Sequence, residues 1–244
     1  YLYHGSGPPS SRLSSLPVNP LVELSSAVDP TTVRSPAAQE AVVRVTLGLR
    51  KYLRAGRWPY PHQVGGMAFC DLARDRALVA DPPGLGKTGI ALGRILLGAR
   101  LPAVVICPAS VLLIWRDEAK LWLPGARVHL LDKEAKWVPP RGWRGIVVTT
   151  WSLLTYHSLG LMQFAPQLLV ADEVHNVLNE DTLRAQHFEP LARQAPHLLL
   201  LSGTPVVNKS RDLWRLLNLL DPVAWSEATL PAFKELGRED FDRG

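Results

Sequence analysis

Residues 77–92 read ALVADPPGLGKTGIAL and combine three local patterns that together indicate one kind of fold. The short apolar run that comes first is typical of a buried strand. A turn rich in proline and glycine follows, and a run with apolar residues at helical spacing begins at Thr88. A strand, a glycine-containing turn and a helix in this order are typical of the α/β class, in which parallel strands are covered by helices.

The glycine-containing turn carries residue types that bind phosphate. Gly84 and Gly86 let backbone N–H groups approach an anion closely, and the positive end of the following helix attracts it. We expect Lys87 to pair with the β- and γ-phosphates of a nucleotide, and the hydroxyl of Thr88 to bind Mg²⁺. The match to the general phosphate-loop pattern is imperfect, because Asp81 stands where its first glycine belongs. A chance glycine-rich turn is the alternative.

Four further apolar runs alternate with helical patterns along the chain. The runs are short and continuously apolar, which suits strands covered on both faces, and they lie at 103–106, 145–149, 168–171 and 197–201. Helical spacing is found at 88–98, 111–122 and 183–193. We therefore predict an α/β fold with a parallel β-sheet flanked by helices, preceded by a Ser/Pro-rich arm that becomes helical from Ser35.

An acidic pair follows one of the predicted strands. In LLVADEVHN, residues 168–176, Asp172 and Glu173 stand at the carboxyl end of the strand, where parallel sheets place their ligands. Asp172 is a candidate to hold Mg²⁺, and Glu173 to orient and deprotonate an attacking water. His175 is a candidate to link this site to the next strand. Such a pair taken alone is often a helix N-cap, which is the alternative here.

The next strand ends in small hydroxyl residues. It reads HLLLLSGTP at 197–205, and Ser202 and Thr204 are candidates to sense the γ-phosphate through hydrogen bonds to the acidic pair. An ordinary exit from a strand into a turn is the alternative.

These motifs, in this order, resemble superfamily two helicases, and in detail the Swi/Snf branch of double-stranded DNA translocases. That branch typically has DEMGLGKT where residues 81–88 read DPPGLGKT, and LTGTPIQN with LWSLLNFL where residues 201–220 read LSGTPVVNKSRDLWRLLNLL. Its further segments are similar to PHQVGG at 61–66, VVICPASVLLIW at 104–115 and VVTTWSLL at 147–154. The resemblance covers about residues 60–222, and Asn208 and Trp214 are among the matching positions.

The resemblance implies a RecA-like ATPase lobe with ATP and Mg²⁺ as cofactors. Gln63 would read adenine, and the phosphate loop, with Gly84, Leu85, Gly86, Lys87 and Thr88, would hold the phosphates. Two loops would contact the phosphates of duplex DNA without reading sequence, through Pro108, Ala109, Ser110, Thr149, Thr150 and Trp151. We expect Cys107, Trp115 and Trp214 to be core residues.

The resemblance also implies a division of the chain and a missing partner. We predict an arm at 1–58, the first RecA-like lobe at 59–222 and the start of an inter-lobe helical region at 223–244. A second lobe, in the same or a partner chain, would supply an arginine finger, which contributes about 10³–10⁵ in rate. We expect the chain alone to be nearly inactive, and its start at Tyr1 without methionine to mark a piece of a longer protein.

The composition is typical of a globular protein, and its uneven charge is compatible with binding to a polyanion. Of the 244 residues, 47% are hydrophobic and 20% are charged, and we expect no membrane span because no apolar run reaches about 18 residues. Residues 51–170 carry 15 basic and 7 acidic side chains, whereas residues 171–244 carry 8 and 12. With two cysteines there is no disulfide framework, so we expect an intracellular protein. The resemblance implies that it is located on DNA, in the cytoplasm or the nucleus according to its source.

Two other functions stay open at this point. One is a strand-separating DNA or RNA helicase or the translocating subunit of a restriction system, against which the matching tail at 208–220 argues. The other is a non-catalytic module that binds partners in a nucleotide-dependent way, against which the intact Lys87, Asp172 and Glu173 argue.

Overall fold

The computed structural model describes residues 2–4, 35–53, 58–131, 143–203, 210–231 and 233. Within these residues, seven strands form one sheet. They are β1 (Leu2–His4), β2 (Arg76–Val79), β3 (Ala103–Cys107), β4 (Arg127–Leu130), β5 (Gly145–Thr150), β6 (Leu168–Asp172) and β7 (His197–Leu201). The predicted parallel sheet flanked by helices is confirmed, since all strand pairs except β1 with β2 are parallel.

The order of strands across the sheet is β1-β2-β7-β6-β3-β5-β4. Leu201 at the end of β7 is paired with Val79 on one side and with Asp172 on the other. On the far side of β6, Cys107 at the end of β3 is paired with Thr150 of β5. Because the carboxyl ends of parallel strands meet at one edge, the loops after β2, β7, β6, β3 and β5 lie next to one another.

Helices cover both faces of the sheet. Those described are α1 (Pro36–Tyr52), α2 (Pro61–Leu72), α3 (Lys87–Leu97), α4 (Leu112–Trp122), α5 (Leu154–Phe164), α6 (Leu183–Gln194) and α7 (Ser210–Leu220). Buried residues of α1 to α4 share one hydrophobic core with alternate strand residues, and those of α5 to α7 share a second core on the opposite face. Successive side chains along a strand therefore point in turn into one core and then into the other.

The first helix, α1, packs against α2 and α3. Ala38, Ala41, Val45 and Leu49 recur at helical spacing and are buried in the same core as α2 and α3. Pro36 occupies the first turn, where a missing N–H costs nothing. Where the chain divides into domains stays a prediction.

Five elements were not predicted from the sequence. Two are strands, β1 in the arm and β4 at the opposite edge, and three are the helices α2, α5 and α7. No helix among the described residues has the length and apolar character that crossing a membrane requires.

Candidate functional site

The loop between β2 and α3 has the backbone geometry of an anion site. Gly84 and Gly86 have φ angles of +85° and +74°, a left-handed region in which glycine is at ease. α3 begins at Lys87, directly after Gly86, so the free N–H groups of its first turn point toward the loop. Gly84 has open space around it, because a Cβ added there would meet nothing within 4 Å.

Lys87 lies under the loop and is buried, with 9% of the residue's surface exposed. Its Nζ donates hydrogen bonds to the carbonyl oxygen of Asp81 at 2.8 Å and to that of Pro82 at 3.4 Å. Burial raises the pKa of the Asp81 carboxyl, and the nearby charge of Lys87 opposes that rise. The ammonium group is thus held beneath the space that the loop encloses.

The N-terminus of α2 closes the loop from the other side. Gln63 Nε2 donates to the carbonyl oxygens of Gly86 at 3.1 Å and Leu85 at 3.4 Å, and Gln63 Oε1 accepts from the Tyr60 N–H at 3.0 Å. His62 Nε2 lies 2.9 Å from the Leu85 carbonyl oxygen, and its ring stacks on that of Tyr60. The structure therefore brings Gln63, predicted to read adenine, directly against the phosphate loop.

A pocket of about 350 Å³ opens beside Gln63. It lies between the first turns of α2 and α3 and the outer face of α4, and its walls include Gln63, Gly86, Thr88, Ile114, Glu118 and Trp122. Apolar walls with a few polar groups are typical of a small-molecule site. The pocket therefore borders both Gln63 and the phosphate loop.

Asp172 and Glu173 follow β6 at the same edge of the sheet. Burial raises the pKa of the Asp172 carboxyl, a hydrogen bond from Trp115 opposes that rise, and the neighbouring charge of Glu173 adds to it. The positive charge of Lys87 also opposes the rise in the pKa of Asp172. Glu173 has a φ of +51°, which turns the chain sharply away from the strand.

Two tryptophans hold Asp172, and the sequence did not predict this role for either. Trp115 Nε1 donates to Asp172 Oδ2 at 2.8 Å, and Trp151 Nε1 donates to the Asp172 backbone oxygen at 2.8 Å. Trp115 was predicted as a core residue, and that prediction is confirmed by its 1% exposure. The signal available in the sequence was the indole N–H, because a buried indole needs an acceptor.

The residues after the acidic pair and after β7 complete this edge. His175 Nδ1 lies 3.2 Å from Glu173 Oε2, so the predicted link begins at the acidic pair. Ser202 is fully buried, and its N–H donates to the carbonyl oxygen of Val79 at 3.0 Å. A Cβ added to Gly203 would lie 2.9 Å from Cγ of Pro83, which shows how closely this segment approaches the phosphate loop. Thr204 and Asn208 lie outside the described residues.

The two loops predicted to contact DNA differ in exposure. After β3, Ala109 and Ser110 are exposed and Pro108 is half-buried, in a short 3₁₀ turn. After β5, the side chains of Thr149, Thr150 and Trp151 are buried at 0%, 5% and 3% exposure, so they are not available to a phosphate as predicted. This corrects the prediction for their side chains. The exposed hydroxyl in that loop belongs to Ser152, which the sequence analysis did not name.

The cause of this burial is the core beneath β5. The indole ring of Trp151 packs edge-on against Phe188 with ring centroids 5.3 Å apart. Thr150 Oγ1 lies 2.9 Å from the Ser152 Oγ, so the buried and the exposed hydroxyl are in contact. Cys107 is a buried core residue as predicted, and burial raises the pKa of its thiol to about 12.

Comparison with known proteins gives a consistent result. A sequence model described as the SNF2-related domain matches residues 39–242. Helicase swr1 of Schizosaccharomyces pombe is 31% identical over 188 residues, which are 68% of this chain and 14% of that protein. Protein CHROMATIN REMODELING 19 of Arabidopsis thaliana is 29% identical over 213 residues, 75% of this chain and 27% of that protein.

A solved structure agrees with these sequence matches. The SWI2/SNF2 ATPase core of Sulfolobus solfataricus in complex with dsDNA has a TM-score of 0.59 and 25% sequence identity. The match covers 73% of this chain and 40% of the solved one. The chain thus spans only a small part, 14% and 27%, of the curated relatives named above.

Proposed function

This chain belongs to the SNF2-related family of helicase-like ATPases, and from that premise we propose that it is the first ATPase lobe of a double-stranded DNA translocase. The translocase would use ATP hydrolysis to remodel DNA or DNA–protein complexes inside the cell, on the DNA itself. What supports the proposal most is that the phosphate loop with Lys87 and the acidic pair Asp172 and Glu173 follow strands whose carboxyl ends lie at the same edge of one sheet.

The residues at this edge fit a nucleotide with its magnesium ion. Gly84 leaves open space beside the loop, and the buried Lys87 and the acidic pair supply charges of both signs. The Thr88 hydroxyl and the Asp172 carboxylate offer oxygen atoms, which are the ligands that Mg²⁺ prefers. When bound, the metal would neutralise charge that develops on the phosphates during transfer.

The chain's own groups then have distinct tasks. Lys87 exchanges the carbonyl oxygens of Asp81 and Pro82 for phosphate oxygens, and the first-turn N–H groups of α3 hold the phosphates. Glu173 orients the attacking water and accepts its proton, and His175 holds the Glu173 carboxylate at 3.2 Å. Gln63, held against the carbonyl oxygens of Leu85 and Gly86, presents its amide to adenine from this position.

Hydrolysis at a useful rate would need a second lobe, in the same or a partner chain. An arginine finger from that lobe is worth about 10³–10⁵ in rate, so the chain by itself would bind ATP weakly and turn it over very slowly. The backbone of duplex DNA would lie across the loops after β3 and β5, with Ser110 and Ser152 as exposed hydroxyl donors.

Nucleotide binding tests the first part of the proposal. A fluorescent ATP analogue is titrated into the chain and into Lys87→Ala, Glu173→Gln and the control Lys120→Ala, whose lysine is exposed on α4. Loss of a charged hydrogen-bond donor should weaken binding in Lys87→Ala by about tenfold to a hundredfold. Glu173→Gln should bind normally, and so should the control. Equal affinity of Lys87→Ala and the unchanged chain would overturn the proposal.

Hydrolysis in the presence of a second lobe tests the rest. Duplex DNA should stimulate ATP hydrolysis more than single-stranded DNA or RNA, and Glu173→Gln should lower the rate by about 10²–10⁴. Stronger stimulation by a single strand or by RNA would favour the strand-separating helicase. Unchanged function of Lys87→Ala and Glu173→Gln would favour the non-catalytic module.

A further inference from the structure

Asp172 receives an indole hydrogen bond on its side chain and another on its backbone. The donors are Trp115 Nε1 to Oδ2 and Trp151 Nε1 to the carbonyl oxygen, each at 2.8 Å. An indole side chain has a single hydrogen-bond donor, so each of the two side chains directs its only donor at Asp172. The carboxylate and the peptide of this residue are therefore held by two separate parts of the molecule.

Both tryptophans are rigidly placed. Trp115 is 1% exposed in the core formed by α1 to α4, and Trp151 is 3% exposed in the core formed by α5 to α7. Trp151 is fixed further by its edge-on contact with Phe188. Close-packed side chains of this size do not change position without moving their neighbours. The position of Asp172 is consequently tied to both faces of the sheet.

Each tryptophan also belongs to one of the two loops that would follow a DNA strand. Trp115 lies in the first turn of α4, directly after the 3₁₀ turn Ala109–Val111 that carries the exposed Ser110. Trp151 directly follows β5 and precedes the exposed Ser152. A displacement of either loop is thereby passed to Asp172 through one hydrogen bond.

We propose that Trp115 and Trp151 are positioning residues, which hold Asp172 for the magnesium ion of ATP and couple it to the two loops on which DNA would lie. The inference rests on the proposed function of this site. Neither tryptophan touches a reacting atom. Their effect is exerted through Asp172, and hydrogen-bond partners of metal ligands change metal affinity or activity by about 10–100-fold when they are removed.

The test removes the indole N–H and keeps an aromatic ring. In Trp115→Phe, the Mg²⁺ concentration that half-saturates binding of a fluorescent ATP analogue should rise about tenfold. Binding measured in excess chelator, without Mg²⁺, should stay unchanged, which a general loss of structure would not allow. Trp214→Phe is the matched control, since Trp214 is buried in a separate cluster with Leu217 and Trp225 and its indole N–H is directed at Thr229.

The second variant and the DNA measurement complete the test. Trp151→Phe should shift the Mg²⁺ requirement in the same direction, so the inference stays testable if Trp115→Phe fails to fold. Duplex DNA should lower the Mg²⁺ requirement of the unchanged chain and have a smaller effect in either variant, because coupling between two sites is reciprocal.

Failure of this inference can be told from failure of the proposed function. Unchanged Mg²⁺ half-saturation in both folded variants overturns the positioning role, while a weakened Lys87→Ala keeps the nucleotide site. If Lys87→Ala also binds the nucleotide normally, the site itself is not an ATP site, and both conclusions fall.

Discussion

Gly84 and Gly86 differ in what surrounds them, although both have left-handed backbone angles in the same loop. A Cβ on Gly84 would meet nothing within 4 Å, whereas a Cβ on Gly86 would collide with Nε2 of Gln63. Both alanine variants lose roughly 1–2 kcal/mol from the unfavourable φ. Only Gly86→Ala also displaces the side-chain amide of Gln63, which would read adenine.

The preference for ATP over GTP should therefore separate the two variants. Competition of each nucleotide against a fluorescent ATP analogue measures the ratio of affinities, in which effects on the shared phosphates cancel. We expect the ratio to fall severalfold in Gly86→Ala and to stay unchanged in Gly84→Ala. The same ratio in both variants would mean that Gln63 does not read the base.

At the residue scale, the sequence predicted the place of these residues along the chain better than their exposure. The residue types and their spacing put Lys87 and Asp172 at or after the ends of strands that meet at one edge of the sheet, where the structure has them, and their chemical roles stay predictions. The burial of Trp151 depends on Phe188, almost forty positions further along the chain. A contact between residues so far apart leaves no local sequence pattern. The sequence therefore did not show that Trp151 is buried and that the neighbouring Ser152 carries the exposed hydroxyl.

At the element scale, the unpredicted strands and helices have physical reasons. β4 reads Arg127-Val128-His129-Leu130 and lies at the edge of the sheet, so it lacks the continuously apolar run that marked the inner strands. α2 contains Gly65 and Gly66, which lower helix propensity. A Cβ on Gly66 would lie 2.6 Å from Cδ1 of Ile90, so the close packing of α2 on α3 needs glycine there.

Arg76 of β2 fastens the end of α7 to the sheet. Its guanidinium donates to the carbonyl oxygens of Leu219 at 2.7 Å, Leu220 at 2.8 Å and Ala195 at 2.8 Å. The last carbonyl oxygens of a helix have no partner within the helix, and a cation there also meets the negative end of its dipole. Burial lowers the pKa of Arg76, because it disfavours the charged guanidinium.

Replacing Arg76 should loosen this attachment. Arg76→Met keeps the length of the side chain but leaves the carbonyl oxygens without a charged donor, at a cost of about 1.5–3 kcal/mol in the free energy of unfolding. Urea unfolding measures the change as a lower midpoint. Arg116→Met is the control, because Arg116 is paired on the surface with its neighbour Asp117 and with no other acidic group of the described residues, and we expect no change. Equal midpoints for both variants would contradict the assignment.

At the scale of the whole molecule, one network of charges joins three helices to the start of β2. Arg94 of α3 binds Asp75 at 2.6 Å and Asp71 of α2 at 2.8 Å. Arg44 of α1 binds Asp71 at 2.7 Å, and Arg100 binds Asp75 at 3.1 Å. Asp75 is fully buried and Arg94 is 3% exposed, so these charges depend on one another.

The free energy of unfolding at acid pH should depend on this network, because the network includes the titrating carboxyl group of Asp71. Burial would raise the pKa of Asp71, but the charges of Arg94 and Arg44 and their hydrogen bonds outweigh burial and hold this pKa below its ordinary value. A carboxyl group with a lowered pKa in the folded state stabilises the protein above its unfolded pKa of about 3.9. That contribution is lost as the pH falls through the folded pKa.

Asp71→Asn removes this contribution, so the variant should be less stable than the unchanged chain by about 1.5 kcal/mol at pH 7. The difference should stay constant down to about pH 5 and then shrink toward zero, because the unchanged chain itself becomes protonated at Asp71. Urea unfolding at intervals between pH 7 and pH 3 measures it, with the exposed Asp181→Asn as the control. A difference that persists undiminished at pH 3 would mean that the asparagine disturbs packing, and that the charge of Asp71 does not hold α1 and α3 to α2.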